Sequence, residues 1–213
     1  MGFLIDLHVH TLHSGDSDAE PEEMVEAAIV RGLDGIAFTE HYSYGASAYA
    51  DQLRERYAGR IGIYRGVEVS ALEGHVLVFG LDTDRLSLGG APVEELLRAI
   101  RAHNAVAIPS HPYRRGSSLE SLVMELEGIT ALEGFNGCNL HSMNTSAIEA
   151  AALLGLPFTG GSDAHAPREV GSCYTEFERE VSEDSLIASL HEGRYTGHDI
   201  RKISRPCLPV IRP

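Results

Sequence analysis

Short apolar runs alternate with stretches whose apolar residues recur every three or four positions, the pattern of strands alternating with amphipathic helices. Phe3–Val9 reads as a strand, and Pro21 to Arg31 as a helix with Met24, Val25, Ala28 and Ile29 on one face. Glu20, Glu22 and Glu23 suit the positive N-terminal end of that helix, and Gly32 suits its stop. Further along, Gly35–Thr39, Ile61–Val69, His75–Leu81, Ala105–Pro109, Ala131–Phe135 and Pro157–Thr159 read as strands. Asp51–Tyr57, Pro92–Asn104, Leu119–Glu127, Asn144–Leu154 and Asp184–Glu192 read as helices. Such alternation implies parallel βα units, an α/β fold, and about seven strands in one chain are expected to close into a barrel with their C-termini on one face.

Composition narrows this picture. The 213 residues, 43% hydrophobic and 23% charged, suffice for one sizeable core. No composition break suggests a second domain, so residues 1–213 are expected to form a single barrel domain ending in an extended tail over about 201–213. A net charge of −14 opposes binding to nucleic acid and anionic lipid, which predicts a small substrate, no long nucleic acid and no membrane partner. Cys138, Cys173 and Cys207 are few, odd in number and widely spaced, which predicts reduced thiols in a cytoplasmic protein. The start of the chain lacks the features of a signal peptide, and no apolar run reaches the ~20 residues a membrane span requires. The sequence leaves the oligomeric state open.

Candidate chemistry gathers where the predicted strands end. His8 and His10 lie two apart on the first strand and face the same way, as do Asp163 and His165 near the other end of the chain. His41, Glu68 and His111 lie at or after the ends of other predicted strands, Asp16 follows the first pair, and His75 opens a strand. Imidazole and carboxylate donors without thiolates suit Mn²⁺, Fe²⁺ or Zn²⁺, and the set is too large for one tetrahedral ion but sufficient for two or three. Three divalent ions would outweigh the charges of Asp16, Glu68 and Asp163, leaving a cationic pocket that favours a phosphate dianion. Such ions polarise phosphoryl oxygens and bring the pKa of bound water toward ~7, so a metal-bound hydroxide is the expected nucleophile. Glu68 is the expected bridging carboxylate, and Asp163 or His165 is expected to assist proton transfer to the leaving oxygen.

The motifs DLHVHT, FTEH, GVEVS, SHPY and GSDAH, in that order, resemble those of the PHP (polymerase and histidinol phosphatase) family over residues 4 to about 171. The resemblance implies a distorted (β/α)7 TIM-like barrel with up to three metals at its C-terminal face. It also implies the same nine ligands, with Asp16 matching the acidic position after the first motif and His75 matching the histidine of GHVLVFG. His13 and Asp18 are alternatives to Asp16. Stand-alone members of the family are phosphoesterases of this size. Their substrates include nucleoside monophosphates and other small phosphate esters or cyclic phosphodiesters.

Arg114 and Arg115 follow the His-Pro-Tyr segment, and Arg168 follows the late Ser-Asp-Ala-His motif, where a planar guanidinium would suit phosphate oxygens. His141, with Asn136 and Asn139, falls near the expected pocket mouth. The expected function is therefore metal-dependent hydrolysis of a small-molecule phosphate ester. Histidinol-phosphate phosphatase and a small nucleotide or cyclic phosphodiesterase are the alternatives, and a metal-binding regulatory module is the non-enzymatic reading. An amidohydrolase bridged by a modified lysine is disfavoured, because the single lysine, Lys202, lies after the last motif.

Overall fold

The computed structural model describes residues 2–116 and 118–202, so the expected tail lies almost wholly outside the described residues. The described strands are β1 (Phe3–Val9), β2 (Gly35–Phe38), β3 (Gly62–Arg65), β4 (Val67–Ser70), β5 (His75–Phe79), β6 (Val106–Pro109), β7 (Leu132–Asn136), β8 (Phe158–Gly161), β9 (Cys173–Phe177) and β10 (Tyr195–Asp199). The α-helices are α1 (Pro21–Arg31), α2 (Ala50–Arg56), α3 (Val93–Ala102), α4 (His141–Leu154) and α5 (Leu186–Glu192).

A closed, all-parallel barrel does not form. The described strands divide among three sheets, ordered β10-β9-β1-β2-β3, β4-β5-β6 and β7-β8. β1, β2 and β3 run parallel, as do β7 and β8, whereas β9, β10 and the β4-β5-β6 sheet pair antiparallel. Isolated bonds join the sheets where a barrel would have ladders. Glu68 N–H donates to the Glu40 carbonyl, Thr130 N–H to the Ala107 carbonyl, and Asp163 N–H to the His8 carbonyl. These joints gather the strand ends around one point.

Local sequence explains several departures from expectation. The predicted strand Ile61–Val69 breaks at Gly66, where a Cβ would sit 2.6 Å from the Phe79 ring, and its halves enter different sheets. Leu119–Glu127 forms only a 3-10 turn at Glu120–Met124, because Glu120 adopts a left-handed φ of 47° while its N–H bonds the Pro112 carbonyl. β9 and β10 escape the sequence reading. β9 nonetheless alternates buried and half-buried residues with the period of two expected of a strand.

α1 forms where expected. Pro21 opens it, the Glu23 carboxylate accepts the Glu20 N–H, and Gly32 closes it at φ 77°. Its buried Met24, Val25 and Ala28 pack with Ile36 and Phe38 of β2. α3 buries Val93, Leu96, Leu97 and Ile100 against Val76 and Val78 of β5. Among the described residues no helix is long and apolar enough to cross a membrane.

Backbone contact between β8 and β1 needs glycine. A Cβ on Gly161 would lie 2.4 Å from the His8 Cβ. Gly161→Ala is therefore expected to cost ~1–3 kcal/mol by overpacking, read as a lowered urea midpoint. An unchanged midpoint would refute this close approach.

Candidate metal centre

Strand alternation sets Asp6, His8 and His10 on one face of β1. Asp6 accepts the N–H groups of Ser162 (2.9 Å), Gly171 (2.8 Å) and His8 (3.3 Å), tying β1 to the loop that carries Asp163 and His165. Burial pushes its carboxyl up to about 6, against the pull of those donors. His41 follows β2 and pairs with Glu68 of β4 through an isolated bridge. His75 opens β5 yet reaches the same place, because β5 runs antiparallel to β4 and His75 sits opposite Ser70. The antiparallel direction thus resolves the one residue that a parallel barrel would have misplaced.

All nine expected donors converge, with Glu68 at their centre. Its Oε1 lies 2.9 Å from His111 Nε2, 3.2 Å from His75 Nδ1 and 2.7 Å from Ser110 Oγ. Its Oε2 lies 2.9 Å from His41 Nδ1, 3.5 Å from His10 Nε2 and 3.6 Å from His8 Nε2. Asp163 Oδ1 stands 3.4 Å from His8 Nε2 and 3.3 Å from His10 Nε2. Asp16 Oδ2 lies 2.9 Å from His41 Nε2 and 3.1 Å from His165 Nε2. Three imidazole and carboxylate groups of the kind that hold ions result: His8, His10 and Glu68; Glu68, His75 and His111; and His10, His41 and His165; a fourth group joins Cys138 to Asp163 and His165. Burial opposes ionisation of Glu68, yet the facing His8, His111, His41 and His75 hold its carboxyl well below the usual carboxylate range. Burial likewise opposes ionisation of Asp163, and His8, Arg114 and His10 hold it low. His10 is pushed down to about 4 by burial and then by the neighbouring His41.

Hydrogen-bond counting fixes how the imidazoles point. His8 Nδ1 lies 2.8 Å from Glu133 Oε1, which spends this nitrogen on Glu133 and leaves Nε2 facing the cluster, able to lend its lone pair to an ion. Ser14 Oγ donates to Glu40 and accepts from the His41 N–H (3.1 Å), which leaves one lone pair for His10 Nδ1–H at 3.0 Å. His165 Nδ1 donates to the Asp163 carbonyl at 2.9 Å. Three Nε2 atoms are thereby aimed into the cluster. His8 Nε2 and His10 Nε2 stand only 2.9 Å apart, an arrangement that a cation between them satisfies. Glu68 Oε2, Asp16 Oδ1 and His111 Nδ1 are buried without a hydrogen-bond partner. The donor set therefore fits divalent ions. Glu133, Ser14 and Glu40 are the outer partners that orient such ligands. Glu133 and Ser14 had no sequence signal, since Glu133 lies mid-strand in β7.

The substrate-contact expectations divide. Arg114 reaches the cluster: its Nη2 donates to Asp163 Oδ2 (2.6 Å) and Asn136 Oδ1 (2.7 Å), and its Nε donates to Asn139 Oδ1 (2.9 Å). Arg115 is exposed on the same loop. Arg168 turns outward to Glu169, with its side chain 81% exposed. His141 opens α4 and faces Asp199 at 3.4 Å. Cys138 is disulfide-bonded, which overturns the expectation of three reduced thiols and removes its sulfur as a thiolate ligand, whereas Cys173 is free and buried.

Glu133→Gln is expected to weaken metal binding about 10- to 100-fold, measured by calorimetric titration with Mn²⁺ or Zn²⁺. Unaltered affinity would show that Glu133 does not orient His8. The double replacement of His8 and His10 by Ala should abolish bound metal in elemental analysis while the far-UV spectrum is kept.

Known proteins resemble this chain in sequence and, among solved structures, in fold. A probable histidinol-phosphatase from Deinococcus radiodurans is 25% identical over 241 aligned positions, covering 84% of this chain and 92% of that one. A phosphoribosyl 1,2-cyclic phosphate 1,2-diphosphodiesterase from Eggerthella lenta is 35% identical over 83 residues, covering 36% of this chain and 30% of its own length. Among solved structures, a two-domain Bacteroides vulgatus protein containing a predicted PHP-like metal-dependent phosphoesterase matches at TM-score 0.73 and 22% identity, over 93% of this chain and 65% of that one. Endonuclease Q, in complex with a 27-mer duplex carrying an abasic lesion at its active site, matches at TM-score 0.65 and 16% identity, over 92% of this chain and 58% of that one. That complex corrects the expectation that whole-chain charge rules out long nucleic acid. The field at a site is set by its own cations and arginines rather than by the sum over a whole chain. A PHP domain model matches residues 6–148 and a PHP-associated model residues 141–195, and the chain belongs to the PHP domain family.

Proposed function

We propose that the chain hydrolyses a phosphate ester at two or three divalent ions held by His8, His10, Asp16, His41, Glu68, His75, His111, Asp163 and His165. The observation that carries this reading is Glu68, a buried carboxylate with one oxygen toward His75 and His111 and the other toward His8, His10 and His41. That is the placement a carboxylate shared between neighbouring cations requires. When bound, such ions polarise phosphoryl oxygens and acidify water, and Mn²⁺, Fe²⁺ and Zn²⁺ all suit these donors.

The chain's own residues supply the rest. Arg114, 29% exposed and braced by Asp163, Asn136 and Asn139, offers its remaining N–H groups to phosphate oxygens at the mouth. Asp163 is engaged through both oxygens, by His8 and His10 on one side and Arg114 and Asn136 on the other, which favours a ligand role over proton donation. His165 is likewise engaged through both nitrogens, Nδ1 on the Asp163 carbonyl and Nε2 beside Asp16, which favours a ligand role for it too.

The test is turnover of p-nitrophenyl phosphate by the purified protein, followed by histidinol phosphate and a ribosyl 1,2-cyclic phosphate, the chemistries named for its relatives. Chelation should abolish activity and Mn²⁺ restore it. No turnover with any metal would favour a regulatory module. Arg114→Ala should raise KM about 10-fold with a smaller change in kcat, the size expected for a lost charge-assisted hydrogen bond. An unchanged KM would mean that the metals alone hold the phosphate.

A further inference from the structure

Part of the backbone strain among the described residues lies beside the candidate metal centre. Among the described residues six non-glycine residues have positive φ: Tyr42, Ser87, Asn104, His111, Glu120 and Asp163. His111 and Asp163 supply donors to the cluster, so their strain has a use. Tyr42 is the third strained residue at the centre, and its side chain supplies no donor.

Its geometry is specific. Ser43 N–H donates to the His41 carbonyl at 2.8 Å, closing a three-residue turn with Tyr42 at its apex and φ 67°. Tyr42 N–H is itself fixed on the Glu68 carbonyl at 3.1 Å. The turn is thus pinned between two of the expected ligands. A bulky side chain in this region is uncommon, and a three-residue turn with positive φ is strained. Glycine would occupy the position freely. The chain instead places a phenol ring there, 66% exposed, with its centroid 5.4 Å from the His41 ring. An exposed large aromatic held at energetic cost next to a reactive cluster is an observation from which function can be inferred.

We propose that Tyr42 is a stacking platform that selects phosphate esters whose leaving group carries a planar aromatic or heteroaromatic ring. The proposal rests on the phosphoester reading of the neighbouring centre and adds its specificity. A phosphoryl group held at the cluster directs its ester substituent out through the mouth. There the ring beside His41 offers a flat face to aromatic surface, whereas an aliphatic chain gains less from it.

Binding of two non-hydrolysable probes tests this without turnover. Calorimetry would compare phenylphosphonate with propylphosphonate on the Mn²⁺-loaded protein, its Tyr42→Phe variant and its Tyr42→Gly variant. The native protein should prefer the phenyl probe, by roughly 5- to 100-fold in Kd, the size of one aromatic stacking contact. Tyr42→Phe keeps the ring and should keep the preference. Tyr42→Gly should abolish the preference while raising the urea midpoint, because it removes the ring and relieves the φ strain together. A preference that survives Tyr42→Gly, or is missing from the native protein, overturns the platform alone. Failure of both probes to bind overturns the phosphoester reading, and the platform with it.

Discussion

A single buried carboxylate organises this protein. Glu68 is 0% exposed, and its two oxygens face five imidazoles that come from four separate segments, His8 and His10 sharing one. Burying a lone carboxylate is expensive, and the cost is met only where positive charge or hydrogen-bond donors surround it. The histidines supply that surrounding, and divalent ions would complete it. Everything that positions the histidines therefore bears on the stability of one charge at the middle of the fold. The isolated His41 to Glu68 bridge, the β4-β5 hairpin and the bond from Asp163 to the His8 carbonyl are the joints that keep the segments in register around it.

Around the donors lies a layer that sets their orientation. Glu133 acts directly on His8, while Glu40 acts on His10 through the Ser14 hydroxyl. The two solutions are chemically alike, since each occupies Nδ1 and leaves Nε2 facing the cluster. Glu40 is further held by Thr11 Oγ1 at 2.6 Å, Thr11 N–H at 3.1 Å and the Tyr49 hydroxyl, so the relay ends on a fully bonded carboxylate. Rigidity here matters because a ligand that rotates out of line loses most of its value to an ion. Placing three positive-φ residues, His111, Asp163 and Tyr42, in the same neighbourhood shows that the backbone also accepts strain to serve the centre.

Whole-chain properties proved poor guides to partners. A net charge of −14 sums residues spread over the entire surface, whereas Arg114 and the donor cluster would set the potential felt by any group bound beside them. Exposed acidic residues such as Glu22 and Glu26 are matched by Arg56 and Arg60 on the far surface and say little about the site.

The sequence by itself singled out the candidate donors that converge, because His-x-His spacing along extended backbone is a local property, whereas Asp163 has a left-handed φ of 54° and reaches His8 and His10 through the fold. It also determined α1 and α3, whose apolar spacing, acidic first turns and, in α1, closing glycine are local signals. Only the tertiary structure decided that β4, β5 and β6 run antiparallel, that His75 thereby meets Glu68, and that Glu133 in the middle of β7 reaches His8. It also decided which arginine turns inward, sending Arg114 to Asp163 and Arg168 out to Glu169. Strand direction, register and loop path depend on contacts between residues far apart in the chain, and no local pattern of polar and apolar positions encodes them.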